Sequence, residues 1–387
     1  MKRPKFMSVL GGAGTWLLAA RAQECHNRPV QYDPTRNVWT VSRFDDVLRV
    51  LRDTDTFATH CGLVAGGDEA TQARVRRTVR DAFATLQVNA LAELTRSMAG
   101  ELVERIAARG ECELIGDFAL PIALTVVSAM LGIERDRFHD LRRWSTATLH
   151  SDDPAVSEHQ RALYRAQAAE FRVFLTNHIA QLPSRPRDRY LAHFVTGEDN
   201  GEGLTPSEQE NVSAFIIVAG SLTTSSLIGN SMLILLHDRA WQSRLRSEPQ
   251  HISCFIEEVL RYDAPVQRTL RLTTRPVEMG GVLIPKGALL ELMIASANRD
   301  PEKFAEADEF RIDRSPNEHV SFGFGRHLCL GAQLARLEAA IALEILLQRF
   351  PQVRRTDPRA PIDFGSTHFV RGPARLDLCF SSATKDT

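Results

Sequence analysis

One stretch of this sequence concentrates residues that can do chemistry: Ser321-Phe322-Gly323-Phe324-Gly325-Arg326-His327-Leu328-Cys329-Leu330-Gly331. Its glycines permit a tight, closely packed loop. Cys329 stands at the start of a helix expected over 330–349, where free N–H groups and the helix dipole favour a thiolate. Gly331 removes a side chain where a flat cofactor can lie against the backbone. A lone thiolate presented this way is a good axial ligand for haem iron. A structural cysteine buried at a helix start has the same local pattern, and residue types alone leave both readings open. A second constellation is Glu258-Val259-Leu260-Arg261. Its i,i+3 spacing puts acid and base on one helical face, as they stand in many ordinary surface pairs.

The elements that must carry these residues follow from pattern and punctuation. Val38–Val41 reads as a short strand and Phe44–Leu51 as a helix. Residues 70–110 are helical, opening on a basic turn with Arg74, Arg76, Arg77 and Arg80. Further helices fill 117–182, broken near Asp153-Pro154, and 183–203 is a polar loop. Thr205-Pro206-Ser207-Glu208 is a capping box opening a helix that continues to about Leu236,. At 1.5 Å per residue its ~30 residues reach ~45 Å, enough to cross a domain. The run Phe215 to Ala219 is apolar nearly all round and is expected to be buried,. A helix at 251–262 precedes strands within Thr269–Val282 and Leu289–Ile294, with Gly280-Gly281 as a turn. The last helix places Leu334, Leu337, Ile341 and Ile345 on one face.

The 387 residues carry 47 Lys+Arg against 48 Asp+Glu, a balance that argues against a general nucleic-acid binder,. The hydrophobic share of 43% and charged share of 25% are those of an ordinary globular chain with a large core,. The six cysteines include no CxxC pair, which excludes a zinc ribbon, an iron–sulfur run and a covalent CxxCH haem site,. Sparse, unpaired cysteine fits a reducing compartment. Lys2, Arg3 and Lys5 precede an apolar run from Phe6 to Ala20 that loosely resembles a signal peptide,. A plain lead into a first helix near Trp16–Gln23 is the alternative. The run is too short to span a membrane, and no other stretch is read as long and apolar enough.

The Cys329 loop resembles the haem-binding loop of the cytochrome P-450 family, the haem-thiolate monooxygenases. Phe322, Gly325, His327, Cys329 and Gly331 fill its five fixed places. The resemblance runs over nearly the whole chain. It implies a mainly α fold with a small β region, as one haem-binding domain over 1–387. Helix-rich parts are expected at about 70–262 and 330–350, and β-rich parts at about 37–42, 269–295 and 360–380. It implies haem b, with Cys329 as the axial ligand of its iron. Glu258 and Arg261 match the family's Glu-x-x-Arg, joined by an arginine at the place of Arg314, in a structural role. Ala297-Asn298-Arg299-Asp300-Pro301 also looks like the family. Arg271 and His327 match partners of the haem propionates. Ala219-Gly220-Ser221-Leu222-Thr223-Thr224 matches the oxygen-binding helix. There Gly220 is expected to leave room for dioxygen and Thr223 to steady it and deliver protons, with help from Ser221. The Thr223 hydroxyl can equally bond the carbonyl one turn back.

Three departures qualify the match. Leu222 stands where the family usually has an acid, so the acid–alcohol proton relay is incomplete,. Water or a substrate group then supplies the proton, or the enzyme runs an atypical oxidation such as coupling, desaturation or a peroxide-driven reaction. Only about ten residues, Thr59 to Asp68, stand where the family usually roofs the pocket. Either the pocket is open there, as suits a carrier-tethered substrate, or the 150–200 region covers it. Gln72 replaces the usual propionate-binding histidine four residues before Arg76, leaving a weaker pair on one helical face.

No flavin or nicotinamide fingerprint and no cluster ligands are present, so electrons are expected from a separate ferredoxin or flavodoxin with its reductase. Arg74, Arg77 and Arg80, with Arg326 and Arg336, offer a complementary docking charge, or are a solvated basic face. The resemblance is to soluble bacterial members, which implies a cytoplasmic enzyme. The expected reaction is hydroxylation or epoxidation of a small organic molecule in secondary metabolism. Ile216, Ala219, Val266, Thr269 and Phe369 are the expected pocket residues, with Gln267 and Arg268 available to orient a polar substrate group.

Overall fold

A computed structural model describes residues 29–59, 69–84, 88–151, 156–181, 204–365 and 369–381. The expectations for the N-terminal run, for the gap beyond Thr59, for the break at Asp153-Pro154 and for the 183–203 loop lie outside the described residues. In chain order the elements are β1 (Val30–Asp33), β2 (Val38–Val41), α1 (Phe44–Arg52), β3 (Phe57–Thr59), α2 (Glu69–Ala84), α3 (Val88–Arg109) and β4 (Glu111–Glu113). A π-helical turn Ile115–Ala119 leads into α4 (Leu120–Leu131), followed by α5 (Phe138–His150), α6 (Glu158–Gln181), α7 (Pro206–His237), α8 (Arg239–Ser247) and α9 (Ile252–Tyr262). Then come β5 (Thr269–Thr273), β6 (Val277–Met279), β7 (Val282–Ile284), β8 (Leu289–Leu292), α10 (Ile294–Ala297), α11 (Ala332–Arg349), β9 (Gln352–Arg355) and β10 (Asp377–Ser381). Helix dominates and the β region is small, as the sequence predicts.

The contacts divide the chain into two compact units. The first holds Met1–Cys61, Gly229–Cys329 and Phe350–Thr387. Its main sheet has the order β1-β2-β8-β5-β3. The β2–β8 pair is parallel and the β1–β2, β5–β8 and β3–β5 pairs are antiparallel. Helix α1 buries Phe44, Val47, Val50 and Leu51 in the same core as Val41, Phe57, Leu290 and Leu292. Its acids Asp45 and Asp46 sit in the first turn and Arg49 and Arg52 in the last, which complements the dipole,. The first free N–H, of Phe44, is capped across the fold by Asp300 Oδ2 at 2.8 Å. Gly280 and Gly281 take φ of 58° and 76° between β6 and β7, the tight two-residue hairpin turn that needs positive φ at both positions,.

The C-terminal β structure departs from expectation. It lies at β9 and β10, which pair antiparallel, and among the described residues 360–376 holds an isolated bridge at Val370 and no strand. Pro361 and Pro373 cannot donate to a ladder, and Gly365 has a φ of 68°, which together break that stretch,.

The second unit holds Gly62–Ile228 and Leu330–Arg349. Its core gathers Val75, Val79, Leu91, Leu124, Val127, Trp144, Phe171, Val212 and Ile217. Helix α4 is apolar and buried nearly all round, and Gly132 ends it in the left-handed conformation with φ 70°,. The predicted capping box of α7 forms in both directions. Thr205 N donates to Glu208 Oε2 at 2.8 Å, and Glu208 N to Thr205 Oγ1 at 3.3 Å.

By length and composition α7 passes as a membrane span, contrary to the sequence reading. However, 61% of its most apolar 18-residue window is buried within the protein. An apolar all-round helix serves a large core equally well. The expected burial of 215–219 holds only at Ile216 and Ile217: Phe215 is 45% exposed, and Val218 and Ala219 are half-buried.

Glu338 on α11 is buried, and its Oε2 finds no hydrogen-bond partner among the described residues. Burial pushes its carboxyl well above the ordinary value of 4.5,. The folded chain therefore keeps a proton that the unfolded chain releases. Stability falls as pH rises from that ordinary value towards the folded one, by about 1.4 kcal/mol per unit. Glu338→Gln is expected to flatten that slope. Urea titrations at a series of pH values check it, and an unchanged slope contradicts it.

Candidate active site

In the first unit the Cys329 loop closes on itself. Cys329 N donates to Phe322 O at 2.9 Å, and Gly323 and Gly325 take φ of 74° and 64°. Positive φ there is what glycine allows and a side chain resists. Cys329 is exposed, as are Phe324 and Leu328, so the buried structural cysteine is not what forms. The helix-start expectation needs correcting. Helix α11 begins at Ala332, and the first turn is closed by Ala335 N donating to Gly331 O at 2.9 Å. A turn at Leu330-Gly331 sets Cys329 ahead of the cap, so the dipole acts on it more weakly than the sequence predicts. His327 Nε2 lies 3.2 Å from Thr59 Oγ1. Arg271, on β5, is 6% exposed and donates to Leu270 O at 2.7 Å and Thr269 Oγ1 at 3.3 Å.

Beneath this loop lies a buried polar network. Glu258 and Arg261 are both fully buried and bidentate, at 2.9 and 2.7 Å. Glu258 also accepts from Arg311 N at 2.8 Å, Arg314 Nε at 3.3 Å and Asn317 Nδ2 at 3.2 Å. Burial lowers the Arg261 guanidinium from its ordinary value, and the Glu258 carboxylate opposes that,. Arg261 donates onward to Asn298 O at 3.0 Å and Ala307 O at 2.8 Å.

Asn298, which the sequence reading left without a role, is the link to the loop. Its Oδ1 accepts from Val320 N at 2.8 Å and its Nδ2 donates to Ser321 Oγ at 2.7 Å. Ser321 Oγ in turn donates to Leu260 O at 2.6 Å. The trace of this in the sequence is the family-like segment Ala297-Asn298-Arg299-Asp300-Pro301, which assigns Asn298 no partner.

Two of the expected pocket residues come together despite their distance in sequence. Gln267 N donates to Phe369 O at 2.8 Å, and Val266 bridges Val370 antiparallel. Val266, Thr269 and Phe369 are each half-buried. Arg268 is not available to orient a substrate. It donates to Glu291 Oε2 at 3.0 Å, and Arg36 binds the same buried carboxylate at 2.7 and 3.2 Å. A buried acid draws any cation within reach, which residue spacing along the chain does not reveal.

In the second unit the burial of α7 resolves into faces. Ala214, Phe215, Val218, Ala219, Leu222 and Thr223 form a stripe that is not fully buried, with the i, i+3, i+4 spacing of one helical face. Thr223 Oγ1 donates to Ala219 O at 2.6 Å, the one-turn-back bond that sequence allows. Ser221 and Ile216 lie on the packed side: Ser221 is fully buried with its hydroxyl on Ile217 O at 2.6 Å, and Ile216 is in the core. Gln72 and Arg76 are half-buried on α2. Of the basic residues beside them, Arg74 pairs with Glu208 and Arg80 with Asp81.

Gly220 also has a packing reason to be glycine, beside the expected one. A Cβ there would stand 2.6 Å from Val127 Cγ1 on α4, so its small size lets two helices approach,. Gly220→Ala is expected to cost about 1–3 kcal/mol in overpacking, more than the ~1 kcal/mol of helix propensity it gains. In a Val127→Ala background the same change becomes stabilising. Thermal melts of the two singles and the double check this, and additivity contradicts it.

The residues fit a haem. Among the described residues no three His, Cys, Asp or Glu cluster as metal ligands. A single exposed thiol on a glycine loop therefore suits a metal whose other ligands come from a macrocycle. Around Gly331 nothing stands within 4 Å of where a Cβ would be, which leaves a face open to a planar group. Fold and loop together define an oxidoreductase of the haem-thiolate class.

The comparisons agree. Residues 143–380 match the cytochrome P-450 family model. Cytochrome P-450 107B1 of Saccharopolyspora erythraea is 34% identical over 395 residues, 93% of this chain and 96% of that protein. Cyclomarin C epoxidase CymV of Salinispora arenicola is 30% identical over 370 residues, 92% of this chain and 93% of that one. The structure of P-450BioI with an acyl carrier protein ligated to hexadec-9Z-enoic acid superposes with a TM-score of 0.85 at 26% identity, covering 94% and 98%. The chain belongs to the cytochrome P-450 family and is a monooxygenase.

Proposed function

We propose that this enzyme binds haem b through Cys329 and hydroxylates or epoxidises a small organic molecule of bacterial secondary metabolism in the cytoplasm. One oxygen atom enters the product and the other leaves as water, with electrons from a ferredoxin or flavodoxin and its reductase. A thiolate-bound haem supplies the activation of dioxygen. The observation that carries the reading is the α7 stripe, where Thr223 presents its hydroxyl among half-buried apolar side chains. Ala219 and Leu222 exclude water and contact substrate. Thr223 Oγ1, whose proton now bonds Ala219 O, relays protons once that bond swings away, giving one up as it takes one from water or a substrate group,. Ser221 makes the same one-turn-back bond, to Ile217 O inside the core, and must break it to assist. Arg271, His327 and Arg76, with Gln72, hold the propionates. Phe322, Gly325 and Gly331 shape the loop. Arg77 and Arg326, both exposed, offer charge to the electron donor,.

The substrate is either free or tethered to a carrier protein, as in the P-450BioI complex. Optical titration of the ferric protein tests the reading. A ligand that displaces iron-bound water shifts the Soret band towards the high-spin form. Free aromatic, terpenoid and macrolide compounds are compared with the same kinds of acid loaded on an acyl carrier protein. A shift with free compounds supports the small-molecule substrate, and a shift only with loaded carrier moves it to the tethered class. No shift with either removes the proposal. Leu222→Asp is expected to raise product formed per electron consumed, and no change would point to an atypical oxidation.

A further inference from the structure

We infer that Asn230, Asp263 and Arg371 form a buried clamp that positions the Val266 and Phe369 wall of the substrate pocket and so sets the size of ligand admitted. The inference rests on the proposed function in one respect, that Val266 and Phe369 line the pocket. All three clamp residues belong to the first unit and come from distant parts of the chain. Asn230 is fully buried on α7, and its Nδ2 donates to Asp263 O at 2.9 Å and to Arg371 O at 3.2 Å. Asp263 caps the C-terminus of α9, its N–H donating to Val259 O at 2.8 Å. Arg371 Nε donates to Asp263 Oδ1 at 3.1 Å, with 13% and 19% of the two side chains exposed. The guanidinium also lies 3.6 Å from the centre of the Phe364 ring.

The strand segments beside the clamp are joined to each other by a short ladder, and Ala295 N donates to Gln267 O at 3.2 Å. The 265–267 and 369–371 segments share one isolated bridge, supported by Arg371 N donating to Pro265 O at 2.7 Å and Gln267 N to Phe369 O at 2.8 Å. A ladder this short is marginal by itself. The charge-assisted bond and the cation–π contact, both largely shielded from water, are stronger than the neutral bonds they reinforce. A shift of Arg371 moves Phe369, two residues away on the same extended segment. Asn230 ties the Asp263 and Arg371 backbones to the C-terminal part of α7. None of the three clamp residues belongs to the proposed set that contacts substrate or haem, so they are positioning residues.

The test uses the haem-loaded ferric protein and two neutral nitrogen ligands of different size, imidazole and 4-phenylimidazole, followed by the Soret shift on nitrogen ligation. Arg371→Met keeps the bulk of the stem and removes the charge. It is expected to change the Kd for 4-phenylimidazole by about tenfold while imidazole moves less than about twofold. Arg371→Lys restores part of the difference. Asp263→Asn, nearly isosteric, is expected to act in the same direction and carries the test if Arg371→Met does not load haem. A merely structural role would weaken both ligands alike or neither, and either result overturns the inference. A second outcome separates the two proposals. If Val266→Ala and Phe369→Ala leave both affinities unchanged, those residues do not line the pocket, and the clamp falls with that assignment.

Discussion

Cys329→Ser is expected to abolish monooxygenase turnover while leaving the fold intact. Serine is nearly isosteric but offers an alcohol where the iron needs a soft, electron-rich thiolate. Losing an outer-shell partner of a metal site typically costs ~10–100-fold, so loss of the ligand itself exceeds that. The fold should tolerate the change. The Cys329 side chain is exposed, and the loop is closed by its backbone N–H on Phe322 O, which serine keeps. Stability is expected within about 0.5 kcal/mol of the parent. The measurement is the Soret position of the ferrous–CO complex together with product formation. Retained thiolate-type absorption and turnover would move the ligand to another cysteine. Among the described residues Cys112, Cys254 and Cys379 are the other cysteines, and none is in a disulfide.

Glu258→Ala is the second large effect, and it acts on folding. Arg261 is fully buried and its one carboxylate partner is Glu258. Removing the acid leaves a guanidinium in the core with only carbonyls to bond, and breaking such a pair costs about 3–5 kcal/mol. The loss spreads, because Arg311 N and Asn317 Nδ2 lose this acceptor at the same time, and Arg314 keeps only its carbonyl acceptors. Glu258→Met with Arg261→Met is expected to cost less than the single change, because no charge is stranded. Urea denaturation of the two variants measures both. A single-variant loss below about 1 kcal/mol would put the pair in the class of exposed ion pairs. Haem content should fall with stability, since Arg261, Asn298 and Ser321 connect this pair to the Cys329 loop.

These two effects differ in how far the sequence shows them. Cys329 was legible because a single loop holds all its defining residues within eleven positions of chain. The pairing of Glu258 with Arg261 was legible too, since i,i+3 spacing on a helix brings side chains together whatever surrounds them. Its burial was not. An acid and a base on one face look the same on a surface as in a core, and only the packing of the 298–317 segment separates the cases. Arg268 shows the same limit: it stands just before β5, and its charge goes to Glu291 on β8.

By itself the sequence determined what local geometry dictates. That includes the capping box of α7, the Gly280-Gly281 hairpin, the glycine loop before Cys329 and the helical dominance of the chain. Each depends on bonds between residues a few positions apart, which residue type and spacing specify. The tertiary structure decided what depends on distant segments meeting. It made Gly220 a point of helix approach against Val127 and turned one side of an all-round apolar helix into a half-buried stripe bearing Thr223. It gave Asn298 its hold on the loop, and it joined Asn230, Asp263 and Arg371. Hydrophobic periodicity says that a face is buried, but it carries no information about which segment covers it.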